Sequence, residues 1–138
     1  MHIVLAANPE ADQPWVADAT ARLAKQTGAS VAVVAVDELE LERLAPVPRS
    51  VYLERAERAA TAAVDRLADL GITATRTVLS GRALDRIIEF AESQKADLVI
   101  VGSSTRPAMA ERLLGSVPLA LIHQSPRPVL VITHPGHA

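Results

Sequence analysis

The feature that most constrains this chain is a recurrent alternation of short β-branched apolar runs with longer stretches of helical period. Ile3 to Ala7, Val31 to Val36 and Leu98 to Val101 are all continuously apolar. Runs of this length without polar alternation suit strands covered on both faces, as in a parallel sheet. Between them lie segments with helical signals. Asp12 is placed to cap a helix with Pro14 in its first turn, where a missing N–H is harmless, and Gly28 is placed to end it. Ser50 is expected to cap a longer helix whose inner face is Ala56, Ala60, Ala63, Leu67 and Leu70, closed by Gly71. Ile72 to Leu79 alternates apolar residues with threonines, the pattern of a half-exposed strand at a sheet edge. Ser80-Gly81 is expected to open a further helix with Leu84, Ile87, Ile88 and Ala91 inward. A short helical stretch is expected from Pro107 to Leu114, another helix from Val117 to about His123, and a last strand at Val129 to Ile132. Residues 37–49, acidic and then proline-bearing, read as a crossing loop with room for a helical turn, and not as a domain linker. Five strands separated by helices make a βαβ series, hence an α/β fold with an open parallel sheet and right-handed crossovers. The 138 residues are expected to form a single domain, 1–138.

Composition removes several function classes. Lys and Arg total 14 against 16 Asp and Glu, a formal charge of −2, so no basic surface for nucleic acid is expected. The aromatic residues are Trp15, Tyr52 and Phe90 alone, too few for a base-stacking platform. With no cysteine there is no disulfide, thiolate metal site or thiol nucleophile. No apolar run reaches the ~18 residues of a membrane span, and residues 1–7 carry no basic region or cleavage pattern. A cytoplasmic location is expected. The four histidines His2, His123, His134 and His137 show no ligand spacing, and no nucleophile–base pair stands out from spacing, so a non-enzymatic role is expected.

In open parallel sheets, ligands bind beyond the carboxyl ends of the strands, where strand order reverses. Two segments at such ends have unusual composition. One is Asn8-Pro9-Glu10 after the first strand; the other is Gly102-Ser103-Ser104-Thr105-Arg106 after the fourth, followed by Gly115-Ser116-Val117 at a helix start. Small residues let backbone approach a ligand, a helix start offers free N–H groups to an anion, and Ser103, Ser104, Thr105 and Ser116 add hydroxyls while Arg106 and Arg112 add positive charge. Each also has a plainer reading. Asn8-Pro9 is a turn by composition, Ser116 a helix cap, Arg106 a solvated cation and Val36 a core residue.

The stretches Ala96-Asp97-Leu98-Val99-Ile100-Val101-Gly102-Ser103-Ser104, Arg112-Leu113-Leu114-Gly115-Ser116-Val117 and Ser125-Pro126-Arg127-Pro128-Val129-Leu130-Val131-Ile132 resemble the universal stress protein family. Its nucleotide motif is Gly, two residues, Gly, nine residues, then Gly with Ser or Thr. Gly102 matches the first glycine and Gly115-Ser116 the final pair. The resemblance implies a five-stranded sheet of order 3-2-1-4-5. It also implies ATP, with magnesium where the triphosphate requires it, at the switch point, and homodimers formed through the last strand. Carried onto this chain, the implied nucleotide residues are Ala6, Asn8, Val36, Gly102, Ser103, Thr105, Arg106, Gly115, Ser116 and Val117. Two positions depart from the pattern. Thr105 stands where the middle glycine is expected, and Asn8 where nucleotide-binding members carry Asp. The first sets a β-branched side chain against the phosphates; the second removes a charge. The alternative they raise is a nucleotide-free dimeric scaffold of the same family.

Overall fold

The computed structural model describes residues 1–38, 48–103 and 116–135. Five strands, β1 (His2–Ala7), β2 (Ser30–Glu38), β3 (Ala74–Gly81), β4 (Leu98–Gly102) and β5 (Val129–Ile132), form one sheet. The helices are α1 (Pro14–Thr27), α2 (Arg49–Asp69), α3 (Ala83–Ser93) and α4 (Ser116–Gln124). Strand order is β3-β2-β1-β4-β5 and every pairing is parallel, as the sequence led us to expect. The chain therefore leaves β1 towards β2 and later returns to its other side with β4. That reversal is the topological switch point.

The apolar runs are continuous because both faces are covered. Ile3, Leu5, Val31, Val33, Ala35 and Ile100 point to one face, under Val16, Ala17, Ala21 and Ala24 of α1 and Ala56, Ala60 and Leu67 of α2. Val4, Ala6, Val34, Val36, Val99 and Val101 point to the other, under Ile87 and Ala91 of α3 and Leu121 of α4. Small residues on α1 and α2 let both helices lie close to the sheet. The outer strand β3 is half-exposed along most of its length, which accounts for its threonines.

Several boundaries differ from expectation for identifiable reasons. The residue before α1 is Gln13, not Asp12, and it makes no side-chain cap; Pro14 occupies the first turn and keeps Gln13 out of the helical region, at φ −129° and ψ 67°. Gly28 does close α1 in the left-handed conformation, φ 72°, with its N–H donating to Ala24 O. The long helix begins at Arg49 after Pro48, one residue ahead of the expected Ser50 cap. β2 runs on to Glu38 because it pairs with β3 as far as Asp37 opposite Ser80 and Glu38 opposite Gly81. Ser80-Gly81 thus ends a strand and does not open α3, which starts at Ala83. Its first N–H donates to the Glu38 carboxylate, at 2.7 Å, so the cap comes from the neighbouring strand rather than from the helix's own serine. The expected short helix from Pro107 to Leu114 lies outside the described residues.

Candidate functional site

β1 and β4 pair with Leu5 opposite Ile100. Each strand runs two residues further, so Ala7 and Gly102 end side by side at the switch point. Beyond Ala7 the chain turns sharply. Asn8 Oδ1 accepts the Glu10 N–H at 2.9 Å, and Ala11 N–H donates to Asn8 O at 3.4 Å. This is an Asx turn, the structure that Asn-Pro favours. Its consequence for recognition is specific. One lone pair of the carboxamide oxygen is spent on the chain's own backbone, while Nδ2 makes no hydrogen bond among the described residues. Asn8 thus presents chiefly a donor, where an aspartate would present an acceptor.

A cavity of about 670 Å³ opens at this turn, between the amino end of α1 and the inner side of α2. Its walls include Ala6 and Asn8 from the end of β1, Gln13 before α1, and Ala59, Ala62 and Arg55 on α2. This volume lies in the range of small-molecule sites. Arg55 is held over the Tyr52 ring, 5.6 Å from its centroid, and reaches Glu10 at only 3.6 Å. Arg66, at the other end of the cavity, is committed to Asp18, donating from Nε at 2.7 Å. That charge-assisted contact raises the already high pKa of the guanidinium.

On the β4 side, Gly102 is required by close approach. A Cβ there would collide with Gln13 Oε1 and stand 2.8 Å from Val16 Cγ2. Gln13 Nε2 donates to Ser103 O at 2.9 Å, so one side chain spans from the start of α1 to the end of β4. The first turn of α1 is also fixed by Trp15, whose ring meets His134, just beyond β5, edge-on at 4.4 Å.

The structure brings Ala6, Asn8, Gly102 and Ser103 together at the switch point, the first two on the cavity wall. Val36 is buried on the opposite face, packed with the α3–α4 core, and Val117 packs against that same core. Ser116 begins α4. Thr105, Arg106 and Gly115 lie outside the described residues. Sequence reasoning missed Gln13 and Arg55. The one available signal for Gln13 was a long amide immediately before the proline that starts α1. Arg55 carried none, because it is one of four arginines along α2. It also missed Asp37, buried at the end of β2, where its Oδ2 accepts the Ser80 hydroxyl at 3.2 Å.

Folding creates one serine–histidine contact that spacing did not reveal, at the amino end of the sheet. With His2 Nε2 donating to Gln94 Oε1 at 2.9 Å, Nδ1 accepts the Ser30 hydroxyl at 2.6 Å. The nearby N–H groups of Ser30, His2 and Asp97 are all engaged, with Met1 O, Asp97 Oδ2 and His2 O. None is left to stabilise an oxyanion, so the chain of contacts acts as a staple between β1, β2 and the turn before β4. Among the described residues, no group of three or more histidines or carboxylates could hold a metal ion, and no helix is long and apolar enough to cross a membrane.

Comparison with known proteins agrees with this architecture. Universal stress protein MJ0531 of Methanocaldococcus jannaschii is 37% identical over 65 residues, 47% of this chain and 38% of that protein, so the match spans well under half of the relative. A universal stress protein solved in complex with cAMP superposes with a TM-score of 0.73 at 26% identity, covering 96% of both chains. The universal stress protein of Archaeoglobus fulgidus superposes at 0.72 with 24% identity, over 96% of this chain and 98% of that one, a likeness of fold. The family model for universal stress proteins matches residues 1–133. With sheet order, switch point and the match over residues 1–133 in agreement, the chain belongs to the universal stress protein family.

Proposed function

We propose that this chain works as one cytoplasmic, non-enzymatic regulatory domain that binds an adenine nucleotide in the crevice beyond β1 and β4. The observation that carries the reading is the cavity at the switch point, bounded by Ala6 and Asn8. The relative that shares 26% identity across the fold was solved with cAMP, which supports an adenine ligand. In this reading Asn8 donates to the nucleotide from Nδ2. Gly102, Ser103 and the amino end of α4 at Ser116 and Val117 border the phosphates, with Thr105, Arg106 and Gly115 contributed by the motif. Val36 supports the adenine wall from behind as part of the core. ATP is one candidate ligand; any magnesium would be held mainly by the phosphates, since the described residues offer no ligand cluster.

Native mass spectrometry of the purified protein tests this directly, by the mass of a retained nucleotide, followed by calorimetric titration with adenosine, AMP and ATP. Asn8→Ala is expected to weaken binding about tenfold, the value of one hydrogen bond at ~1.4 kcal/mol. No binding of any adenine ligand at millimolar concentration would overturn the reading. The nucleotide-free scaffold is then the better account. Asn8 Oδ1 satisfying its own turn, and Gln13 covering Gly102, are the observations on its side.

A further inference from the structure

Gln13 is in an unusual position for a residue that precedes a helix. It makes no cap for α1. Its side chain turns to β4 instead, where Nε2 donates to the Ser103 carbonyl at 2.9 Å. This bond fixes the carboxamide, and with it the direction of the oxygen. Oε1 lies over Gly102, closer than any side chain at position 102 would permit. The end of β4 therefore carries, in place of a bare glycine surface, an oriented carbonyl oxygen with Val16 beside it. A carbonyl oxygen accepts hydrogen bonds and bears partial negative charge. It welcomes a hydroxyl or amine of a ligand and opposes an anionic oxygen. Phosphates add anionic oxygens in number. To lie against Gly102 they must first detach Gln13 from Ser103 O and lose that hydrogen bond.

We propose that Gln13 sets the ligand class of the crevice, favouring an adenine nucleoside or nucleoside monophosphate over a triphosphate. The inference rests on the nucleotide reading above and adds to it a residue that selects by phosphate count. A single phosphate can turn toward Arg55 on the cavity wall, where only the 3.6 Å contact with Glu10 competes, and leave Gln13 in place; further phosphates must run past Gly102.

The test is calorimetric titration of the wild type, Gln13→Ala and Gln13→Glu with adenosine, AMP and ATP, read as the ratio of ATP to AMP affinity. In the wild type ATP binds no more tightly than AMP. Gln13→Ala uncovers Gly102, and the ratio rises about tenfold even where loss of the Oε1 acceptor weakens all three ligands. Gln13→Glu also loses the bond to Ser103 O, but it brings a full negative charge to the mouth of the crevice, and the ratio falls below that of the wild type. A purely structural role for Gln13 would weaken adenosine, AMP and ATP alike and leave the ratio where it was. Binding with an unmoved ratio, or one that moves in the same direction in both variants, overturns the proposal and leaves the nucleotide reading standing. If none of the three ligands binds any of the three proteins, the reading and the proposal fail together.

Discussion

Gly102 shows how one missing Cβ can serve two ends of a chain. Its φ is ordinary, so conformational freedom is not what the position needs; it needs the space taken by Gln13 and Val16. Gly102→Ala is expected to destabilise the fold by ~1–3 kcal/mol, the usual result of overfilling a packed contact. Chemical denaturation would measure it. In the Gln13→Ala background the same substitution should cost less, because its closest obstacle is gone, though Val16 remains. Equal costs in both backgrounds would mean that Gln13 yields freely and does not hold its place. The residue scale is also where the sequence is least informative. The motif picked out Gly102, but the side chains that make a glycine necessary lie nearly ninety positions earlier. Nothing local to either segment announces their meeting. Asn8 was half legible: Asn-Pro announces a turn, but not that the turn takes one lone pair of the carboxamide oxygen on which an aspartate-like role would depend.

At the scale of elements the sequence was far more legible, because periodicity is a property of whole segments. The buried strands β1, β2 and β4 stood out as unbroken apolar runs, and the threonine-bearing β3 as an edge. What blurred was each junction where a neighbour decided the boundary. β2 and β3 extend each other to Glu38 and Gly81 by pairing, and Glu38 then caps α3 across the sheet. One junction also makes stability depend on pH. Arg127, just before β5, donates to both oxygens of Glu92 at the end of α3, at 2.9 and 3.4 Å, and to Ala96 O at 3.1 Å. The hydrogen bond and charge of Arg127 hold the Glu92 carboxyl below the ordinary glutamate value. A carboxyl depressed in the folded state binds its proton more readily when unfolded. Its contribution is therefore fully present above the unfolded pKa and is lost as pH falls through the folded one. Glu92→Gln should lower the melting temperature near neutral pH, with the difference from wild type closing as pH drops below ~4. A gap that stays constant down to pH 2 would assign the effect to packing and not to the ion pair.

For the molecule as a whole, the point to decide is what meets the outer edge of β5, which pairs with no further strand among the described residues. In the order β3-β2-β1-β4-β5 this strand is outermost, paired on one side with β4. Exposed edges usually carry a charge, a bulge or a proline that discourages pairing. From Val129 to Thr133 there is no charged residue. The strand is also less covered than its apolar sequence suggests: Leu130 is 38% exposed, and on neighbouring α4 Leu119 is 61% and Ile122 53% exposed. We propose that a second copy covers this edge, β5 pairing antiparallel with β5 across a two-fold axis so that both edges are satisfied by one contact. Four residues of strand alone fall short of the ~1,200 Å² that a stable interface buries, so the exposed leucine and isoleucine of α4 are needed to complete it. Leu130 is the position to test. Val131 packs against the α3–α4 core, and a charge there would unfold as readily as it would dissociate. Leu130→Lys places its charge at an already exposed site on the edge. Sedimentation should find the wild type dimeric at tens of micromolar and Leu130→Lys monomeric, with the far-ultraviolet dichroism of the two superimposable. A monomeric wild type at that concentration would remove the interface, and a Leu130→Lys variant that stays dimeric would move it away from β5.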